Sequence, residues 1–107
     1  MKNLPGGMQN FMKQAQQMQT KMAKLQAELA TRKLEAASGG GAVKVVVTGA
    51  QQIDSIKIDK EVVDPKDVEM LQDLILTAVN EGMKQAKALS ESEMQKVTGG
   101  LSIPGLF

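Results

Sequence analysis

The stretch Val43-Lys44-Val45-Val46-Val47-Thr48, at the centre of a chain of 107 residues, decides the fold. Five of its six residues are β-branched, and such residues fit the pleated surface of a sheet better than a helix. A four-residue turn segment follows, and then residues 53–59 show apolar side chains at alternate positions. This pattern places Ile56 and Ile58 on one face of the second strand and Lys57 on the other. The sequence therefore predicts an antiparallel hairpin.

A glycine-rich turn and a short candidate strand precede the hairpin. The segment Ser38-Gly39-Gly40-Gly41 interrupts any helix, because glycine readily adopts positive φ. It lacks the lysine and the hydroxyl of a phosphate-binding loop, so we interpret it as a plain turn. Residues 33–37 predict a short strand that would complete a meander. The sheet is therefore expected to contain two or three antiparallel strands.

A long helix is predicted after the hairpin, over residues 65–97. Asp64 is the expected N-cap and Pro65 the first helical residue. Asp67 and Glu69 then lie in the first turn, where the helix dipole favours acidic side chains. A wide apolar face suits packing on a sheet, and its residues are Val68, Leu71, Leu74, Ile75, Ala78 and Val79. Residues 98–107 form an apolar tail after this helix.

The first helix is predicted over residues 8–31, after a short N-terminal segment of residues 1–7. Its apolar residues recur at spacings of 4, 3, 4, 3 and 4, which is typical of a helix that packs lengthwise against another helix. Such a helix is about 35 Å long, whereas a compact domain of this size has a radius of gyration of about 13 Å. We therefore expect the helix to overrun its domain and a second copy of the chain to cover the seam. The candidates for core or dimer interface are Phe11, Ala15, Met18, Met22, Leu25 and Leu29 of the helix and Val43, Val45 and Val47 of the strand.

The polar side of the first helix carries lysines without acids. The net charge of the chain is only +1, but residues 1–27 contain four lysines and no Asp or Glu. A solvated face is the alternative interpretation, although a soluble helix usually mixes charge signs to form ion pairs. On the second helix, Lys84 and Lys87 are ordinary surface residues unless the fold brings them beside the first. The candidates for contact with DNA phosphates share one face of the first helix, and they are Lys13, Gln17, Lys21 and Lys24.

Other classes of function find little support in the composition. The chain has no His and no Cys, the residues that most often serve as general base, nucleophile or soft metal ligand. We therefore expect no enzyme, no cofactor, no metal and no small-molecule substrate. A turn and a helix cap explain Asp59, Glu61 and Asp64 better than a cation site does. No apolar run reaches the ~18 residues that span a membrane, and no secretion signal is apparent, so the expected location is the cytoplasm.

Short segments along the chain carry a family resemblance. They are residues 10–19 (Asn-Phe-Met-Lys-Gln-Ala-Gln-Gln-Met-Gln), residues 41–45 (Gly-Ala-Val-Lys-Val), Gly49, Ile58-Asp59, residues 70–75 (Met-Leu-Gln-Asp-Leu-Ile), Ala78, Asn80, and the Gly-Gly and Pro-Gly pairs of the tail. Together they resemble the YbaB/EbfC family of bacterial nucleoid-associated proteins. The resemblance implies an intertwined homodimer with a joined central sheet and protruding helical arms, often likened to tweezers, that binds duplex DNA in the nucleoid. It also places the ends of the two helices together, so that Lys13, Lys21, Lys24, Lys84 and Lys87 become one candidate surface. The segments follow in the family's order along essentially the whole chain.

Taken together, these observations predict a dimeric α+β protein that binds DNA mainly through phosphate contacts and serves chromosome organisation or gene regulation. An alternative is a dimeric scaffold that binds protein partners through methionine-rich helix faces. A helix lying on an anionic membrane is a third interpretation. The narrow apolar stripe of the first helix, with Phe11 as its single aromatic residue, disfavours it.

Overall fold

The structure is a computed structural model, and it describes residues 6–98. It has two long helices and three strands, which confirms the α+β prediction and selects three strands over two. The tail beyond Thr98 and the first five residues of the predicted N-terminal segment lie outside the described residues. In chain order the elements are α1 (Gly6–Thr31), β1 (Lys33–Ser38), β2 (Val43–Thr48), β3 (Ile53–Ile58) and α2 (Val68–Thr98), with short 3-10 turns at Gly39–Gly41 and Lys60–Val62.

The three strands form an antiparallel meander in the order β1-β2-β3. Val45 of β2 lies opposite Ala36 of β1 and Ile56 of β3. The β2–β3 register shifts between Val46 and Val47, which marks a bulge in this pair. The three glycines at positions 39–41 all have positive φ, so the predicted turn between β1 and β2 depends on residues without a Cβ.

The core lies between α2 and the first two strands. Val43, Val45 and Val47 are fully buried beneath Ala78 and Ala86 of α2. A close approach of α2 to the sheet requires Gly82, because a Cβ there would lie 3.0 Å from Val47 Cγ1. One helix is about 10 Å wide and neighbouring strands are about 4.8 Å apart. A single helix therefore covers two strands, and β3 remains outside its cover.

The start of α2 differs from the prediction. Asp64 was the expected N-cap and Pro65 the first helical residue, but α2 begins at Val68. The Asp64 carboxylate instead accepts a hydrogen bond of 2.9 Å from the Lys66 backbone N–H, which forms a turn. The Asp67 carboxylate accepts one of 3.2 Å from the Met70 N–H and is the actual cap. The prediction is wrong because the Asp64 carboxylate is hydrogen-bonded within the turn that precedes the helix, and Asp67 caps the helix instead.

The end of α1 is joined closely to the sheet. The Gly49 backbone N–H donates a hydrogen bond of 2.9 Å to the Arg32 carbonyl oxygen, just after α1 ends. Gly49 is buried, and a Cβ at this position would lie 2.7 Å from the Leu29 carbonyl oxygen. The last turn of α1 is therefore seated on the β2–β3 turn, and this junction sets the direction in which the helix leaves the sheet.

Candidate nucleic-acid interface

Most of α1 projects away from the rest of the chain. The molecule is 74 Å long with a radius of gyration of 20.7 Å, well above the value of about 13 Å for a compact domain. The 31 residues of α2 account for about 46 Å of that length. The remainder comes from the N-terminal part of α1, and we call residues 6–24 the arm. This confirms the prediction that the first helix overruns its domain.

The two helices run antiparallel where they meet, because parallel helices of 26 and 31 residues in contact at this level could not give a molecule 74 Å long. Leu29 of α1 and Ser90 of α2 line one small cavity together with Gly49, and Arg32 approaches Glu93 to 3.9 Å. From that level α1 continues away from the sheet towards its N-terminus, and α2 continues in the same direction towards its C-terminus. At 1.5 Å per residue, Thr98 lies level with about residue 21 of α1. The arm beyond that level has no helix beside it within the described chain.

One side of the arm carries the candidates for DNA contact. Lys13, Gln17, Lys21 and Lys24 are all exposed. At 100° per residue they fall within a sector of about 80°, which we call the lysine face. Its surface forms a shallow depression lined by Lys13, Gln16, Gln17, Thr20 and Lys21. Ammonium, amide and hydroxyl groups are therefore presented together, and all of them can contact phosphate oxygens.

The charge on the lysine face is not neutralised locally. The only acidic residue of α1 is Glu28, near its C-terminal end. The ion pairs formed within residues 6–98 involve Arg32, Lys33 and Lys96, and none involves Lys13, Lys21 or Lys24. The arm therefore presents three positive charges to solvent, where the phosphates of a nucleic acid can displace their counterions.

Lys84 and Lys87 lie on α2 near the level where α1 meets the sheet, and not on the arm. Both are exposed, and they follow Gly82, which packs on the sheet. Counting along the two helices from the level of Leu29 and Ser90, Lys84 is about 33 Å from Lys13. Within one copy the five lysines therefore form an extended row and not a compact cluster. Their membership of one DNA-binding surface stays a prediction.

Two further lysines on the sheet were not among the candidates from the sequence. Lys44 of β2 and Lys57 of β3 are direct cross-strand partners, and both are exposed on the face opposite α2. Like charges directly opposite each other are unfavourable in a sheet. The alternation of β2 and β3 already placed each lysine on the outer face, but only the register shows that they are neighbours. They add a second, smaller basic patch.

Metal binding and membrane insertion are the other classes of site raised by the sequence. Within residues 6–98, no group of three or more metal-ligating side chains comes together. None of the helices formed by this part of the chain combines the length and apolar character needed to cross a bilayer.

The edge strand β3 and the neighbouring side of α2 expose apolar side chains. Ile53, Ile56 and Ile58 are all exposed, and each is the cross-strand partner of a fully buried valine of β2. On α2, Leu74 lies near β1, because the Ser38 hydroxyl donates a hydrogen bond of 2.6 Å to its carbonyl oxygen. Leu76 is 200° further around the helix and 59% exposed. We call the exposed side chains of Ile53, Ile56, Ile58 and Leu76 the apolar ledge. It lies beside the outer edge of β3, which pairs with no further strand in the described part of the chain.

A match to a known protein family supports DNA binding among the interpretations of this architecture. The model of the YbaB/EbfC DNA-binding family matches residues 4–101, which is nearly the whole chain. The chain belongs to the YbaB/EbfC DNA-binding family. The predicted family membership is thereby confirmed. This is a DNA-binding family and not an enzyme family.

Relatives agree with this family assignment, and a solved structure shares the fold. A nucleoid-associated protein of Clostridium kluyveri is 56% identical over 102 residues, which cover 95% of this chain and 90% of that protein. One from Alkaliphilus metalliredigens is 54% identical over 111 residues, covering 99% and 97%. The crystal structure of the uncharacterized protein HP0035 from Helicobacter pylori shares the fold, with a TM-score of 0.65 at 23% identity over 74% of this chain and 92% of that one. The predicted placement among bacterial nucleoid-associated proteins is thus confirmed.

Proposed function

We propose that this chain binds duplex DNA as a homodimer, with the lysine face of each arm contacting backbone phosphates. The observation that carries the proposal is the row of exposed Lys13, Lys21 and Lys24 on a projecting helix without acids beside them. Membership of a DNA-binding family supports DNA as the ligand. The activity is binding and not catalysis, which fits a chain without His or Cys. Its site of action is the nucleoid in the cytoplasm, where it contributes to chromosome organisation or gene regulation.

Phosphate contacts give affinity without strong sequence preference. Arginine bidentate to guanine is the commonest specific contact in the major groove, and the only arginine of the chain is Arg32, which is near Glu93 at the base of α1. The Gln17 amide can contact a base edge or a phosphate, but a single amide contact discriminates little between base pairs. We therefore expect weak sequence preference and an affinity that falls steeply as the salt concentration rises.

The homodimer is supported by the uncovered edge of the sheet. A three-stranded sheet with one helix leaves the apolar side chains of β3 exposed, and Ile56 is 43% exposed. An unpaired strand edge beside apolar side chains is a template for pairing with another chain. A second copy placed there by a twofold axis would cover the ledge and join the two sheets. Two arms then project from one central body, and a duplex can contact both.

The direct test compares two charge-matched double variants in DNA titrations. K13A/K21A removes two charges from the lysine face, whereas K60A/K66A removes two exposed charges near the start of α2, at the other end of the molecule. We expect K13A/K21A to raise the Kd for a random-sequence duplex on the order of tenfold at 0.1 M salt. Each lost phosphate contact should also reduce the slope of log K against log salt by about 0.9.

The control variant separates local contact from net charge. K60A/K66A should keep both the affinity and the salt slope of the unmodified chain within about twofold, because its charges lie outside the proposed contact. Equal losses in both variants would mean that only the overall charge matters. Binding that is absent at low salt would remove the proposal altogether.

A protein-binding scaffold is the second candidate function, and one observation favours it. Phe11 is 65% exposed, and Met8 and Met12 are also exposed on the arm. Flexible methionine side chains adapt to varied apolar partners. Affinity capture before and after nuclease digestion distinguishes the two functions, because partners that are bridged by DNA are lost on digestion. Partners that persist would support the scaffold.

A further inference from the structure

The apolar seam of α1 is covered only in part. Leu25 and Leu29 are buried where α1 meets α2 and the sheet, whereas Phe11 near the other end of the helix is 65% exposed. Met18 and Met22 lie between them and are half-buried. The outer part of the seam falls within a sector of about 80° around the helix. We call it the apolar stripe, and its residues are Met8, Phe11, Ala15, Met18 and Met22.

The apolar stripe has the same form when it is read in either direction. Ala15 is its midpoint, because Met8 lies seven residues before it and Met22 seven residues after it. Phe11 and Met18 occupy the steps between, so two large side chains lie on each side of one small side chain. Residues seven apart return to the same face of a helix. Two copies of the stripe therefore match when the helices run in opposite directions, related by a twofold axis at Ala15.

The position of α2 excludes the opposite orientation. Thr98 lies level with about residue 21 of α1, so α2 already covers the seam from that level towards the sheet. A second α1 running parallel to the first would continue along the seam into the space that α2 occupies. An antiparallel copy instead places its Met8 level with Met22, and α1 begins only two residues earlier, at Gly6. Antiparallel pairing therefore covers the whole stripe without displacing α2.

The charges of the arm do not oppose this pairing. The lysine face is centred about 140° around the helix from the stripe, and its nearest member is Lys21, about 100° from the centre of the stripe. With a twofold axis at Ala15, the two copies of Lys21 lie about 18 Å apart along the helix axis. This exceeds the screening length of about 10 Å at 0.1 M salt. Gln14 and Gln19 flank the stripe more closely and are uncharged.

We propose that the arms of two copies pack antiparallel through their apolar stripes, with Ala15 at the crossing point. The small side chain there lets the helices approach closely, and Phe11 of one copy lies level with Met18 of the other, a favourable pairing of sulfur with an aromatic ring. The stripe is short compared with the ~1,000 Å² of buried surface that a stable interface needs, so the association is weak. It does not depend on DNA binding, and it links dimers that form at the apolar ledge while the lysine faces remain outside.

Cysteine cross-linking tests the pairing, because the chain has no native cysteine. A15C places two thiols at the proposed twofold axis. Q17C is the matched control, since Gln17 is equally exposed on the same arm but lies about 200° around the helix from Ala15, on the lysine face. Both variants are equilibrated without DNA at high micromolar concentration in a glutathione redox buffer. A non-reducing denaturing gel measures the disulfide-linked dimer, and circular dichroism verifies equal helix content.

The equilibrium yield of disulfide-linked dimer should be several-fold higher for A15C than for Q17C. Equal yields overturn the proposal, because they would show that only random collisions join the arms. Because no DNA is present, this result is separate from the DNA titrations described above, and either proposal can fail while the other stands.

Mixed variants test the direction of the two helices. M8C and M22C are combined in equal amounts, and one of them is grown with a heavy nitrogen isotope so that mass spectrometry distinguishes the products. Antiparallel pairing places Met8 of one copy beside Met22 of the other, so M8C joined to M22C should be the main product. A parallel pair would join M8C to M8C and M22C to M22C, and that outcome overturns the proposal.

Discussion

Gly49 connects the β2–β3 turn to the C-terminal end of α1, and any other residue at this position would push the two apart. Its N–H holds the Arg32 carbonyl, and its missing side chain admits the backbone of Leu29. A Cβ at position 49 would lie 2.7 Å from the Leu29 carbonyl oxygen, which is inside the van der Waals contact distance, and this backbone atom cannot rotate away.

G49A should therefore destabilise the fold by about 1–3 kcal/mol, in the range of overpacking substitutions. Urea unfolding followed by circular dichroism measures the difference. A50G is a suitable control for a change of backbone freedom in the same turn, since Ala50 is exposed. Unchanged stability of G49A would show that α1 can shift at no cost, and the junction described above would then be loose.

At the scale of the elements, the start of α2 offers a test of two neighbouring acids. D67A removes the side chain that caps α2 and should destabilise the protein by about 1 kcal/mol, within the usual range for a lost N-cap. D64A removes a turn hydrogen bond on the surface and should have a smaller effect. Thermal unfolding of both variants under the same conditions provides the comparison. A larger loss for D64A would restore the cap first predicted from the sequence.

The order and type of the elements could be predicted from particular residues. The β-branched run from Val43 to Thr48 predicted β2, and the seam from Phe11 to Leu29 predicted a helix that outruns its domain. The cap could not be chosen from the sequence, because Asp64 and Asp67 both precede helix-forming residues. Which of the two caps the N-terminus of the helix depends on the turn in which the Lys66 N–H binds the Asp64 carboxylate.

The exposure of β3 could not be predicted either. Ile56 and Ile58 alternate with polar residues as in any half-buried strand, and alternation says nothing about how far a covering helix extends. The candidate lysines of α1 were visible as an acid-free helix face. Lys44 and Lys57 were not recognised as a pair, because their adjacency depends on strand register. Sequence periodicity shows which face of a strand or helix is apolar. Which residues become cross-strand partners, and which strands a helix covers, depend on tertiary packing.

At the scale of the whole molecule, the proposed dimer depends on the ledge beside β3. I56K places a charge on the exposed apolar face, whereas S55K places the same charge on the opposite face of the same strand. We expect I56K to weaken dimerisation on the order of 100-fold, as for a central interface residue, and S55K to change it little. Light scattering over a dilution series distinguishes a monomer of 11.5 kDa from a particle of twice that mass. A dimer that tolerates I56K would place the interface elsewhere.

Because α1 contacts the β2–β3 turn at Gly49, a small rotation of the helix about this contact displaces its N-terminal end by a larger distance. Lys13 lies about 27 Å from the end of α1 at the sheet, so a rotation of about 10° at that pivot moves it by roughly 5 Å. Successive phosphates of one DNA strand are about 3.4 Å apart along the axis. A rotation of about 7° at that pivot is therefore enough to change which phosphate a lysine at the tip can reach. In the proposed dimer, the stiffness of this glycine contact would set the span between the two arms, and so the width of duplex that they can hold.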